Sequence, residues 1–275
     1  MADFVKEKLW ERIVENTSDT EAAWLKQKGA ADSLELMTAF VAAPRFLSKK
    51  IVKTSASEQA EPINIEGWSL VRLCRVWLLT QLDAADKQEY IHNIETLFDT
   101  AELNELVALY SALPLFAYPE QWLLRATDAV RSNMGFVFDA IAFHNAYPDR
   151  YFSEAAWNQL VLKTIFNDKP IHLIDGLSNR ANATLASILS DFAHERWAAG
   201  RSVPPQVWRL ISPFVDDNFL KDLEYLFQTD VPANQYAAAI VCKESGYAPA
   251  LQLLSQYPAL ERMANQGEIT WANLE

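Results

Sequence analysis

The chain has 275 residues, enough for one large domain or two ordinary ones with a sizeable buried core. Half of it is hydrophobic, which excludes a disordered chain, and its net charge of −12 opposes nucleic acid and anionic lipid surfaces, both of which require excess Lys and Arg. The longest apolar run, "YAAAIVC" at 236–242, is far short of the roughly 18–20 residues that a membrane-spanning helix needs.

Apolar residues recur at three- and four-residue spacing along the chain, and alternating β-branched runs are missing, so the expected fold class is all-α. The amino terminus, "MADFVKEKLWERIVEN", carries Lys and Glu throughout, which argues against a secretory leader and for a cytoplasmic protein. A first helix is expected over 3–15, with Phe4, Leu9, Trp10, Ile13 and Val14 on its apolar side. A second runs from Ser18 to Gly29, where glycine suits a left-handed helix end, and Asp32 caps a third. Residues 1–52 then form a helical cap. The polar, proline-containing stretch 53–66 is an exposed connection, and 67–275 is a helical body.

Within that body, helices are expected at 67–82, 86–98, 101–113, 119–132, 134–145, 153–167, 181–199, 204–212, 216–228, 233–245 and 247–256. Pro119 and Pro204 stand in first turns, Ser153 and Asn182 at N-caps, and Gly200 at a C-terminus. Short links between such helices imply antiparallel hairpins, so a HEAT-like α-α superhelix is the expected architecture, although the sequence has no strict period. Seven glycines, with neither G-x-G-x-x-G nor a P-loop among them, leave no basis for a nucleotide-binding fold. No cofactor is implied. Cys74 and Cys242 stand apart, outside any C-x-x-C pair, and are expected to be buried hydrophobes. Most of the nine tryptophans fall among Leu and Val at helical spacing, as core residues do.

The densest chemistry is "DFAHERWAAGR", residues 191–201. At about 100° per residue, Leu185, Ile188, Leu189, Phe192 and Ala199 share the core side. Thr184, Ser187, Asp191 and His194 share the polar side. Asp191 and His194 are three apart and can touch, an arrangement suited both to acid–base chemistry and to ordinary surface. "HERWA" is not a zinc-protease helix, because Ala198 stands where the second histidine is required. A metal site from His144, Asp149, His172, Asp175 and His194 is chemically feasible but has no support in spacing. On the 153–167 helix, Asn158 sits within an apolar face and needs hydrogen-bond partners, and Lys163 stands on the polar side, within reach of an anionic ligand.

The segments "HNAYPDRYFSEAAWNQLVLKTIF", "GLSNRANATLASILSDFAHERWAAGR" and "VPPQVWRLISPF", covering about 144–214, resemble the EboA family. The upstream "ALPLFAYPEQWLLRATDAVRSNMGFVFDAIAFHN" looks similar, whereas residues before about 100 and after 215 resemble it only in being helical. One departure is Ala146, in N-A-Y-P where N-P-Y-P is expected. The resemblance implies a bacterial cytoplasmic protein from a small gene cluster that makes or exports a secondary metabolite, including delivery of a scytonemin precursor to the periplasm. The neighbours it implies are a prenyltransferase-like membrane protein, barrel hydrolase and isomerase homologues and a dehydroquinate-synthase-like protein. It also marks Asn145, Tyr147, Pro148, Asn158, Lys163, Arg180, Asn182, Asp191, His194, Glu195 and Arg196 as a binding region, with no catalytic role assigned to any of them.

Two functions fit the sequence. One is a helical binding or adaptor protein that meets a small-molecule intermediate, other proteins of the same cluster, or both. The other is an enzyme acting on a small anionic metabolite, with Asp191 and His194 moving protons and Lys163, Arg180 or Arg196 holding the anion.

Overall fold

The computed structural model describes residues 2–53 and 63–274; most of the polar 53–66 connection lies outside the described residues. The fold class is all-α. Among the described residues no strand forms, and one isolated antiparallel bridge joins Ile51 to Ser69. The chain divides into two compact units, Met1–Ala156 and Trp157–Glu275.

The first unit is organised around α4 (Leu70–Gln81), against which α1 (Ala2–Asn16), α2 (Asp19–Gly29), α3 (Ser33–Phe46) and α6 (Leu103–Ala112) pack. Leu70, Leu73, Cys74, Val76, Leu78 and Leu79 are at most 1% exposed, so α4 is buried nearly all round, as its almost unbroken apolar sequence requires. Each such side chain contributes about 1.5–3 kcal/mol when buried. The remaining helices of this unit are α5 (Lys87–Thr100), α7 (Leu123–Arg131), α8 (Gly135–Ala142) and the short α9 (Ala146–Tyr151), with α10 (Glu154–Phe166) beginning at its end.

Local signals account for most boundaries. Ser18 and Glu21 form a reciprocal capping box at the start of α2. Burial would raise the Glu21 carboxyl, but hydrogen bonds from Ser18 and Ser48 outweigh it and hold the group down at about 2. Asp32, Ser69 and Asp86 cap α3, α4 and α5. Gly29 does not end α2 through a left-handed backbone. It remains helical, and a Cβ there would lie 2.4 Å from the ring of Trp77, so glycine is required by close packing. Gly29→Ala is expected to destabilise the protein by about 1–3 kcal/mol in urea denaturation, since the buried indole has little room to move. An unchanged midpoint would show that the ring gives way.

The second unit is built on α13 (Pro232–Ser245), with Ala237, Ala238, Ala239, Val241 and Cys242 fully buried. Around it pack α12 (Asp217–Gln228), α14 (Ala248–Ser255), α15 (Pro258–Gln266) and the 3₁₀ turn Pro205–Leu210. That turn, followed by another at Ser212–Phe214, replaces the expected α-helix over 204–212. Pro213 lacks the amide donor that would bond the Arg209 carbonyl, so an α-helix cannot continue through the end of the segment. Both cysteines are buried and unbridged, and burial pushes both thiols up, Cys242 to about 12, so neither is poised as a nucleophile. Trp122, Trp157 and Trp208 are fully buried core residues.

Candidate functional site

Asn145 and Tyr147 belong to the first unit and hold its chain in place. Asn145 caps α9 and is 3% exposed; its amide donates to the Tyr110 and Ala140 carbonyls and accepts from the Tyr147 N–H, leaving no donor for a ligand. Tyr147 is fully buried, donates its hydroxyl to the Pro119 carbonyl, and has its phenol pushed up by burial. Pro148 is buried within α9, a helix that the N-A-Y-P turn did not announce.

In the second unit, Asn158 and Asn182 form a reciprocal amide pair at 2.8 and 3.2 Å. Asn182 also caps α11 (Ala183–Ala198) by accepting from the Leu185 N–H. Arg180 lies over the ring of buried Trp157, 4.8 Å from its centroid. Lys163 is half-buried, and desolvation holds its ammonium below the ordinary lysine value. Arg196 donates to the Ser202 carbonyl and covers Phe192, closing the helix end at Gly200. Asp191 and Glu195 are exposed.

The expected Asp191–His194 contact does not form. His194 Nε2 lies 2.6 Å from Oδ1 of Asp222 on α12, and the other carboxylate oxygen accepts from Ser190 at 2.7 Å. The core face of α11 is centred on Leu185, Ala186, Leu189 and Ala193, so Ile188 is 36% exposed, Phe192 half-buried against Phe166, and Ala199 exposed. Two alanines thus share the inward face with Leu185 and Leu189, while Ile188 and Phe192 stand at its margin. The expected polar side of Thr184, Ser187, Asp191 and His194 is exposed throughout. His144 lies in the first unit and His172 and His194 in the second; among the described residues no group of three His, Cys, Asp or Glu comes together as a metal site requires.

A different feature of the first unit combines a cavity with charge. A cleft of about 720 Å³ lies beside the start of α4, and a chamber of about 300 Å³ shares Arg72, Asn104, Val107 and Phe136 with it. The Ile51–Ser69 bridge fastens the segment carrying Lys49 and Lys50 to this place, with the Leu70 N–H donating to the Lys50 carbonyl at 2.8 Å. Among the described residues, Lys49, Lys50, Arg72 and Arg75 line the larger space against one carboxylate, Glu102. This is a local reversal of sign in a chain of net charge −12.

The two arginines are held differently. Arg75 is 1% exposed and pairs with Glu105 at 2.9 Å and Glu102 at 3.5 Å. Burial lowers its guanidinium, with the two carboxylates opposing that shift. Its Nε donates to the Phe40 carbonyl, which is free because Pro44, inside α3, lacks the N–H that would normally bond it. Arg72 has no carboxylate partner among the described residues. Its Nε donates to Ser111, its Cζ lies 4.1 Å from the Trp68 ring centroid, and desolvation brings it down to about 10, still cationic at neutral pH. The sequence does carry a signal for both, which helical periodicity alone does not single out: two arginines inside the otherwise apolar "LVRLCRVWLL".

His144 lines the smaller chamber at φ +51°, a left-handed backbone that costs a non-glycine residue about 1–3 kcal/mol. His144→Gly is expected to stay within about 1 kcal/mol of wild type in thermal unfolding, because relief of strain offsets the added freedom of the unfolded chain. A loss well beyond that would give the imidazole a structural contact instead.

Fold and cleft together define an all-α protein with a cation-lined recess. The chain belongs to the EboA family, whose description is metabolite traffic protein EboA and whose sequence model matches residues 5–212. The match takes in every residue lining the two cavities, from Pro44 to His144, whereas Asp222, the partner of His194, lies beyond it. No curated protein and no solved structure matches the chain significantly.

Proposed function

We propose that this protein binds and hands on a small anionic metabolite without transforming it, with the cleft of the Met1–Ala156 unit as its site. The observation that carries this reading is Arg72, a desolvated cation with no carboxylate partner among the described residues, lining both the cleft and its side chamber. The family description, metabolite traffic, supports a role in carriage. In this reading the protein works in the bacterial cytoplasm and passes a secondary-metabolite intermediate to or from other proteins of its gene cluster. Isothermal titration with a panel of organic anions tests it: binding that Arg72→Gln abolishes supports the site, and binding indifferent to that change places the ligand elsewhere.

A second reading, an enzyme acting on an anionic metabolite, draws on the His194–Asp222 pair, in which a buried carboxylate orients a half-exposed imidazole. In this version Asp222 takes the role expected of Asp191. Time-resolved mass spectrometry of bound metabolites separates the two, since carriage returns the ligand unchanged.

A further inference from the structure

We infer that the ligand of the cleft is an amphipathic monocarboxylate: an apolar body seated in the smaller chamber, with its carboxylate gripped by Arg72. This rests on the cleft being the binding site and adds the chemical class of what it takes.

The anion-binding edge comes from the way Arg72 is fixed. A guanidinium carries five N–H donors in a planar fork. Here Nε is committed to Ser111 and Cζ sits over the Trp68 ring, so the terminal nitrogens are the donors left to the cavities that Arg72 lines. Two parallel N–H groups in one plane match the two oxygens of a carboxylate. The Ser111 bond and the contact with Trp68 hold the side chain in place before a ligand arrives, which reduces the ordering cost of binding.

The charge balance limits the ligand to one negative charge at this point. Arg75 is already answered by Glu105 and Glu102, leaving Arg72 as the fixed cation without compensation among the described residues of the cleft. Lys49 and Lys50 are exposed at the side of the larger space, whereas Glu66 stands on the smaller chamber and repels a second anionic group there. A dianion at Arg72 would therefore face both incomplete neutralisation and repulsion.

The apolar part follows from the walls. Trp68, Leu103, Val107, Ala140 and Phe143 line the smaller chamber, and its volume of about 300 Å³ lies at the small end of ligand pockets. Phe136, at the start of α8, is 70% exposed yet lines both spaces. An aromatic ring left in water beside a cavity gains burial when an apolar ligand enters beneath it.

The test uses the full chain and calorimetric titration with four probes: naphthalene-2-carboxylate, its uncharged carboxamide, acetate and inorganic phosphate. The carboxylate is expected to bind at least tenfold more tightly than the carboxamide, and more tightly than acetate or phosphate, as loss of a charge-assisted hydrogen-bonded pair predicts. Arg72→Lys keeps the charge but loses the fork, and should weaken naphthalene-2-carboxylate by about tenfold or more while leaving the carboxamide unchanged. Phe136→Ala, an exposed position, should weaken both naphthalene probes and leave phosphate alone; it keeps the experiment decisive if the Arg72 variant fails to fold. Phosphate binding more tightly than the carboxylate, in an Arg72-dependent way, overturns the ligand class and leaves the cleft reading standing. Equal affinity for carboxylate and carboxamide overturns the role given to Arg72. No binding of any anion overturns the cleft reading together with the inference.

Discussion

Replacing Glu105 with alanine is expected to destabilise the protein by about 3–5 kcal/mol, towards the lower end of that range, in urea denaturation with an unchanged m-value. Arg75 would remain at 1% exposure after losing its 2.9 Å partner, and a buried charge without a partner is among the most costly defects a core can hold. Glu102 remains at 3.5 Å but is 55% exposed, so it offsets only part of the loss. Glu105 also accepts from the Glu102 N–H, and the start of α6 loses that capping bond too. Glu105→Gln keeps the shape and one acceptor, and should cost less. A double variant, Arg75→Met with Glu105→Leu, should recover most of the stability by removing both charges. The cleft supplies a second readout. With Arg75 uncompensated beside Arg72, Glu105→Ala should bind anions more tightly than wild type, and added anion should raise its melting temperature by mass action. A variant within 1 kcal/mol of wild type would mean that Glu102 alone suffices for Arg75.

What was legible in the chain was what neighbouring residues decide. Helix starts at Ser18, Asp32, Asn182 and Ser153 follow from side-chain oxygens that meet nearby amides, and that chemistry is complete within four residues. The burial of both cysteines was legible too, from their standing alone among apolar neighbours. The cleft was not legible in this way. Its charged and apolar walls come from Lys49 and Lys50, the start of α4, the start of α6 and the start of α8, and no window of sequence contains them together. Gly29 shows the same limit at one residue. Its glycine answers to Trp77, 48 positions away, rather than to its own backbone. The helix at 183–198 misled for a related reason. Averaging hydrophobicity around a wheel favours Ile188 and Phe192, whereas the fold turns Ala186 and Ala193 inside. The imidazole of His194 then met Asp222 across helices, in preference to the aspartate three residues before it.

Asn182→Ala is expected to destabilise the protein by about 2–4 kcal/mol without altering anion binding in the cleft. Two losses combine. The cap of α11 disappears with the bond from the Leu185 N–H, and Asn158, 6% exposed, loses the amide that both accepts from it and donates to it. The reverse substitution is not equivalent. Asn158→Leu replaces the buried member with an apolar side chain of similar size, while Asn182 keeps its capping bond and its 3.2 Å bond to the Arg180 carbonyl, so a loss of about 1 kcal/mol is expected. Combining Asn158→Leu with Asn182→Ser retains a competent cap and leaves no buried amide unpaired, and should be more stable than Asn182→Ala alone. Thermal and urea unfolding check the stabilities, and titration with naphthalene-2-carboxylate below the melting range checks binding. If Asn182→Ala instead folds with wild-type stability and loses ligand, the amide pair serves the metabolite directly, and the binding region belongs around Asn158 and Asn182 rather than at Arg72.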